Sequence, residues 1–219
     1  MNHIKKPAES GPKETARLEA FSDGVFAIAI TLLVLELISI LHPQNSERLF
    51  NFYLHHWEPF LAFLIGFLTI LVCWINHTHV FVYIKKMTSN LPWVNGFVLL
   101  MITFTPFPTA ILAEYIGKES RFALAIFGFN YFMISVASYW LCAYSYKRHL
   151  IDAEDRELFH CVKQTYGYSI LYTLIAFLVC FISIPLAIIL YMLLFYVFAY
   201  PKEFATRLFK RKHRPIKSK

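Results

Sequence analysis

The sequence predicts an all-α polytopic membrane protein with six transmembrane helices and both termini in the cytoplasm. Three observations carry that reading. Of 219 residues, 58% are hydrophobic and 18% aromatic, well above the roughly 45–50% apolar content of a soluble domain. The apolar residues gather into stretches of about 20, the length that crosses a bilayer core. Eighteen of the twenty-one Lys and Arg residues fall on one side of a six-span arrangement, and the positive-inside rule makes that side cytoplasmic.

Residues 1–16 are polar, with Lys5, Lys6 and Lys13 among them, and read as a cytoplasmic tail. A first span follows at 17–41. Its apolar part runs longer than the usual 7–15 residues of a signal peptide and ends without a small-residue cleavage site, so it is expected to stay as a helix. Further spans are expected at 57–84, 92–115 and 121–146. The block beyond Val162 is too long for one span and too short for three. Ser183-Ile184-Pro185 lies near its middle, and proline disfavours helix at the residue before it while lacking an amide donor. The block therefore splits into 163–183 and 186–200, joined by a tight hairpin. The tail 201–219 carries eight basic residues and is expected to sit near anionic headgroups. Lys85 and Lys86, then Lys147, Arg148, Arg156 and Lys163, mark the cytoplasmic loops; Arg48, Lys118 and Arg121 lie opposite.

The net charge of +7 follows membrane sidedness and does not form a nucleic-acid patch. Cys73, Cys142 and Cys180 fall in spans and Cys161 in a cytoplasmic loop, positions that suit packing better than disulfides. No G-x-S-x-G, H-E-x-x-H, P-loop or Rossmann signature occurs, so no enzyme is expected. His77 and His79 are two apart and diverge by about 200° on a helix. Without a completing Cys or carboxylate, they make no metal site.

A carboxylate in the first span is costly, which makes Asp23 a candidate functional residue. With Ile28 set at zero and about 100° per residue, Arg17, Phe21, Gly24, Leu32 and Leu35 fall within about 40° and Thr31 at about 60°. Ser22 and Asp23 lie about 120° and 140° away. The helix thus has an aliphatic stripe with one hydroxyl and a polar cluster turned elsewhere. The stripe by itself suits lipid, a neighbouring helix or a pore. Arg17 and Asp23 are about 120° apart around the axis, so Asp23 needs partners on other helices. Trp74 and His77 share a face of the second span, and Asn95 begins the third; all reach its depth. A cluster of Asp23, Ser22, His77 and Asn95 with the Trp74 indole would satisfy groups that are expensive in hydrocarbon. It would serve either as a structural clamp or as a proton or gating relay, since His titrates nearest neutral pH.

Arg17-x-x-x-Phe21-Ser22-Asp23 followed by Gly-Val-Phe-Ala-Ile-Ala-Ile-Thr-Leu-Leu-Val-Leu closely resembles the first helix of the bacterial branch of the transmembrane protein 175 family of potassium channels. Trp74-x-x-His77, Asn95 and Pro106-Phe107 are similar to that family too. The resemblance implies a homotetramer whose first helices line a shared pore without a carbonyl filter, carrying K⁺ and needing no cofactor. It assigns Ile28 to the narrowest ring, Thr31 to a hydroxyl layer, and Leu32 and Leu35 to further hydrophobic rings. Arg17, Phe21, Ser22, Asp23, Trp74, His77 and Asn95 become the network anchoring that helix. Partners are then other copies and membrane lipids, with no nucleic acid or soluble partner, in a bacterial inner membrane. The short sixth span and the acidic fourth loop depart from the pattern, away from the pore.

The alternative is a proton-coupled carrier or proton leak using Asp23 and His77. An inverted-repeat carrier would show internal symmetry and paired interrupted spans; here Pro106 interrupts the third span while Pro185 falls in a hairpin.

Overall fold

The computed structural model describes residues 12–40, 57–115 and 119–199. Residues 1–11 of the first tail, the loop around Arg48, Lys118 and the basic tail 201–219 lie outside them. The described residues form helices and no strand: α1 (Pro12–Ile40), α2 (Glu58–Tyr83), α3 (Leu91–Phe104), α4 (Pro106–Tyr115), α5 (Ser120–Lys147), α6 (Arg156–Val179) and α7 (Ile184–Ala199). Hydrocarbon offers no water to backbone groups, and helices satisfy them internally. Glu14–Ser39, Glu58–Tyr83, Leu91–Tyr115 and Ser120–Lys147 are long and apolar enough to cross a membrane. Lys163, Gln164, Thr165, Ser169 and Thr173 make α6 more polar, and α7 is only 16 residues long. The protein is an all-helical, multi-pass membrane protein.

Proline sets both ends and breaks. Pro59 and Pro92 stand in the first turns of α2 and α3, where an amide donor is not needed. Between α3 and α4 the backbone stays helical at Thr105 (φ −56°, ψ −37°) but cannot continue the ladder through Pro106 and Pro108. Threonine repairs the gap. The Thr105 amide donates to the Ile102 carbonyl at 3.0 Å, its hydroxyl to Met101 at 3.2 Å, and the Thr109 hydroxyl to Thr105 at 2.9 Å. Asn130 Nδ2 of α5 donates to Thr105 Oγ1 at 3.1 Å, tying the break to the neighbouring helix.

α1 lies in the groove formed by α2, α3 and α4, and α5 packs against α3 and α6. Phe26, Ala29 and Leu33 of α1 enter one apolar core with Ile70, Leu99, Ile102 and Ile134. A second core joins Leu112, Phe127, Tyr131, Ala176 and Tyr191. Gly66 permits the close approach of α2 and α4: a Cβ there would meet Thr109 Cγ2 and Oγ1 at 2.8 Å and Leu33 at 3.2 Å. Thr109 is β-branched, buried and hydrogen-bonded, so it has little room to yield. Gly66→Ala is therefore expected to destabilise the fold by about 1–3 kcal/mol, the usual range for overpacking. A fall in the unfolding temperature of the purified protein in detergent checks this, and an unchanged temperature would show that α2 and α4 separate freely.

The α2–α3 and α5–α6 connections are bonded to one another. Lys85 and Lys86 amides donate to the Leu150 carbonyl at 2.9 and 3.3 Å, joining the α2–α3 loop to the α5–α6 turn. Thr88 and Tyr144 hydroxyls meet at 3.0 Å beside them. Cys161, expected in a loop, is buried in the second turn of α6, because that helix starts at Arg156. All four cysteines are free thiols.

Candidate functional site

Two faces of α1 carry different chemistry. Ser22, Phe26, Ala29 and Leu33 recur at helical spacing and are fully buried against the rest of the bundle. Ser22 donates its single hydroxyl proton to the Leu18 carbonyl at 2.8 Å. Its oxygen must then accept, and Asn95 Nδ2 donates to it at 2.8 Å. That turns Asn95 Oδ1 toward His77 Nε2, 2.8 Å away, so the imidazole carries its proton on Nε2 and donates. A directed chain thus runs from His77 through Asn95 and Ser22 to the α1 backbone. His77 Nδ1 is buried without a hydrogen-bond partner, its ring stacked on Phe81 at 4.5 Å and tilted against Phe26 at 5.3 Å.

Trp74 and Asp23 form a separate contact. The Trp74 indole donates to Asp23 Oδ1 at 2.9 Å, and both side chains are exposed at the edge of the α1–α2 groove. The polar residues therefore divide into a buried triad and a rim pair. Arg17 and Phe21 lie outside both, exposed on α1. Among the described residues no group of three or more His, Cys, Asp or Glu side chains converges as a metal site would require.

The opposite face of α1 is left open by the other described helices. Ile28 and Leu35 are 59% and 61% exposed, Leu32 is 38% exposed, and Thr31 is open between them. Thr31 Oγ1 donates to the Ile28 carbonyl at 2.8 Å. Its proton is turned inward, so the oxygen presents only lone pairs to whatever lies outside. Sequence reasoning did not find the Asn130–Thr105 tie. A threonine directly before Pro106 was the available signal, since a hydroxyl at such a break often replaces the missing donor.

These features define a polytopic helical membrane protein whose first helix is clamped by a polar triad on one side and open on the other. The profile described as "Endosomal/lysosomal potassium channel TMEM175" matches residues 17–106. A potassium channel of Chamaesiphon minutus is 38% identical over 189 residues, covering 84% of this chain and 92% of the relative. The crystal structure of a lysosomal potassium-selective channel TMEM175 homolog from the same organism superimposes with a TM-score of 0.77 at 36% identity, over 87% of this chain and 98% of that one. The endosomal/lysosomal proton channel TMEM175 of Gallus gallus is 33% identical over 117 residues, 50% of this chain but 23% of the relative. The chain belongs to the TMEM175 family, a family of ion channels and not of enzymes, and matches the Chamaesiphon minutus channel over 92% of its length.

Proposed function

We propose that the chain is a homotetrameric, potassium-preferring cation channel of a bacterial inner membrane, with four copies of α1 around one pore. One observation carries this reading. A helix packed tightly on one side exposes Ile28, Leu32 and Leu35 on the other, with an acceptor-only hydroxyl, Thr31, set among them. Lipid contact asks for no such hydroxyl, whereas a permeating cation that sheds water asks for oxygen lone pairs. A ring of Ile28 makes a constriction that gates by dewetting, Thr31 gives the adjacent ring of oxygens, and Leu32 and Leu35 extend the apolar lining. K⁺ is the permeant ion, and no cofactor takes part. Six crossings with cytoplasmic termini complete the arrangement, α6 and α7 crossing in the cover of α5 and α2.

The triad gives this helix a fixed mount. Ser22, Asn95 and His77 hold α1 to α2 and α3, and Trp74 with Asp23 holds its rim. Arg17 and Phe21 lie on the open face and meet the neighbouring copy. The second reading is a proton carrier or leak through Asp23 and His77, favoured by the continuous chain from His77 to Ser22. That chain, however, joins His77 to Ser22 through Asn95 and does not include Asp23, whose hydrogen bond goes to Trp74.

Reconstituted full-length protein tests both. Native mass should correspond to four 25.6 kDa chains, and vesicles should pass K⁺ faster than Na⁺ with His77→Ala retaining that preference. A monomeric mass, or a flux carried by protons and abolished by His77→Ala, overturns the channel reading.

A further inference from the structure

A polar cavity of about 30 Å³ lies inside the bundle where α2, α5 and α6 meet. Each helix turns one stripe toward it at helical spacing: Cys73 and Asn76 from α2, Tyr131, Ser135 and Ser138 from α5, Tyr166 and Ser169 from α6. No residue of α1 lines it, so it is separate from the triad, the rim pair and the open face.

Hydroxyl protons around this space are already spent. Ser135 Oγ donates to the Tyr131 carbonyl at 3.2 Å, and Ser169 Oγ to the Tyr166 carbonyl at 2.7 Å. The Tyr166 hydroxyl donates to the Asn76 carbonyl at 3.3 Å, tying α6 to α2. A hydroxyl has one proton and two lone pairs, so these oxygens can only accept from whatever fills the cavity. Ser135 and Ser169 are both buried. Buried acceptors on two facing helices ask for a donor between them.

Size and charge decide which donor fits. A water needs roughly 10–15 Å³ of such a space and two to four polar partners, so the cavity has room for about two. No carboxylate lines it, so an ammonium or a metal ion would stand there as an unpaired buried charge, far costlier than a neutral donor. An apolar filler would leave the acceptors dry.

We infer that this cavity is a hydration site for about two waters, which donate to Ser135 Oγ and Ser169 Oγ and bridge α5 to α6 inside the bilayer. Tyr131 and Ser138 bring further hydroxyls to the same space. The bridge accounts for the polar side of α6: Tyr166 and Ser169, on its buried face, meet water there and not hydrocarbon. It also fixes the helix whose Tyr166 hydroxyl holds α2.

The test is a double-variant cycle on the full chain in detergent, read as unfolding temperature. Ser135→Val and Ser169→Val each put methyl groups where a water stands and strand the acceptor on the facing helix, so each should lower the temperature. The double variant removes both acceptors, and replacing both partners by apolar groups is nearly neutral; its fall should be smaller than the sum of the two single falls. Single variants that melt at or above the wild-type temperature would reveal a dry void that the methyls fill, and additive falls would reveal two independent packing losses; either result overturns the inference. Should a valine variant fail to fold, crystals of the wild-type chain under xenon pressure supply the second reading, because xenon enters dry apolar cavities. Ordered water within hydrogen-bond distance of Ser135 Oγ and Ser169 Oγ, without xenon, upholds the site; xenon, a hydrocarbon tail or no density at all refutes it.

Discussion

Asn95→Leu is expected to loosen the first helix from the bundle, with a loss of about 2–4 kcal/mol. Interhelical hydrogen bonds in membranes are worth only about 0.6 kcal/mol on average, because both partners find others when the fold is lost. Truncating Asn95 is a different event. It strands the His77 Nε2 proton and one Ser22 acceptor position in a site where Ser22 and Asn95 are 0% exposed and His77 is 5% exposed. Each stranded group costs about 1–3 kcal/mol. The observable is a lower unfolding temperature in detergent and, on the proposed tetramer, dissociation into single chains. Ser22→Ala should cost less, because it leaves only one amide proton of Asn95 unmatched. If the leucine variant melts with the wild type, α1 is held by apolar packing and the triad is incidental.

The second large effect is expected at Ile28. On the proposed pore, Ile28→Asn replaces the driest ring with a wettable one, and a barrier lowered by about 1.4 kcal/mol raises flux about tenfold. Na⁺ should gain more than K⁺, because hydrated ions then pass with less shedding. The substitution is a clean probe, since Ile28 is 59% exposed and lies outside the buried core. Native mass and unfolding temperature should therefore stay near wild type while K⁺ and Na⁺ fluxes change. An unaltered flux from a correctly assembled variant would remove Ile28 from the conduction path.

Much of this organisation was legible from local pattern. The helical period of α1 separates Ser22 from Ile28 on paper, and burial separates them in the bundle for the same reason: at 3.6 residues per turn the two side chains cannot share a face. Helices themselves follow from apolar length, because a chain in hydrocarbon must satisfy its own backbone. The polar residues of the site were nameable because they are rare and expensive at that depth.

Their grouping was not legible. Asp23, Ser22, His77 and Asn95 with the Trp74 indole as donor read as one cluster; the contacts fall into two sets, Trp74 with Asp23 at the rim and Ser22 with Asn95 and His77 inside. One residue of difference along α1 rotates a side chain by about 100°, and only the positions of α2 and α3 decide which partner it meets. The break at Thr105 was signalled by Pro106, but its attachment to Asn130, twenty-five positions away, depends on how α5 crosses it. Arg156 and Lys163, seven apart, share a face of a helix by period alone, but only the approach of α5 brings the Tyr146 ring to both.

The sequence by itself determined which segments are helices, that the chain lives in a membrane, and that α1 has two chemically distinct faces. Those are consequences of composition and helical period, both local. Tertiary structure alone decided which polar groups share protons, how the proline break is satisfied, and which face of α1 the other described helices leave open. Each of these depends on the approach of helices far apart in the chain, where differences of an ångström decide whether a hydrogen bond exists.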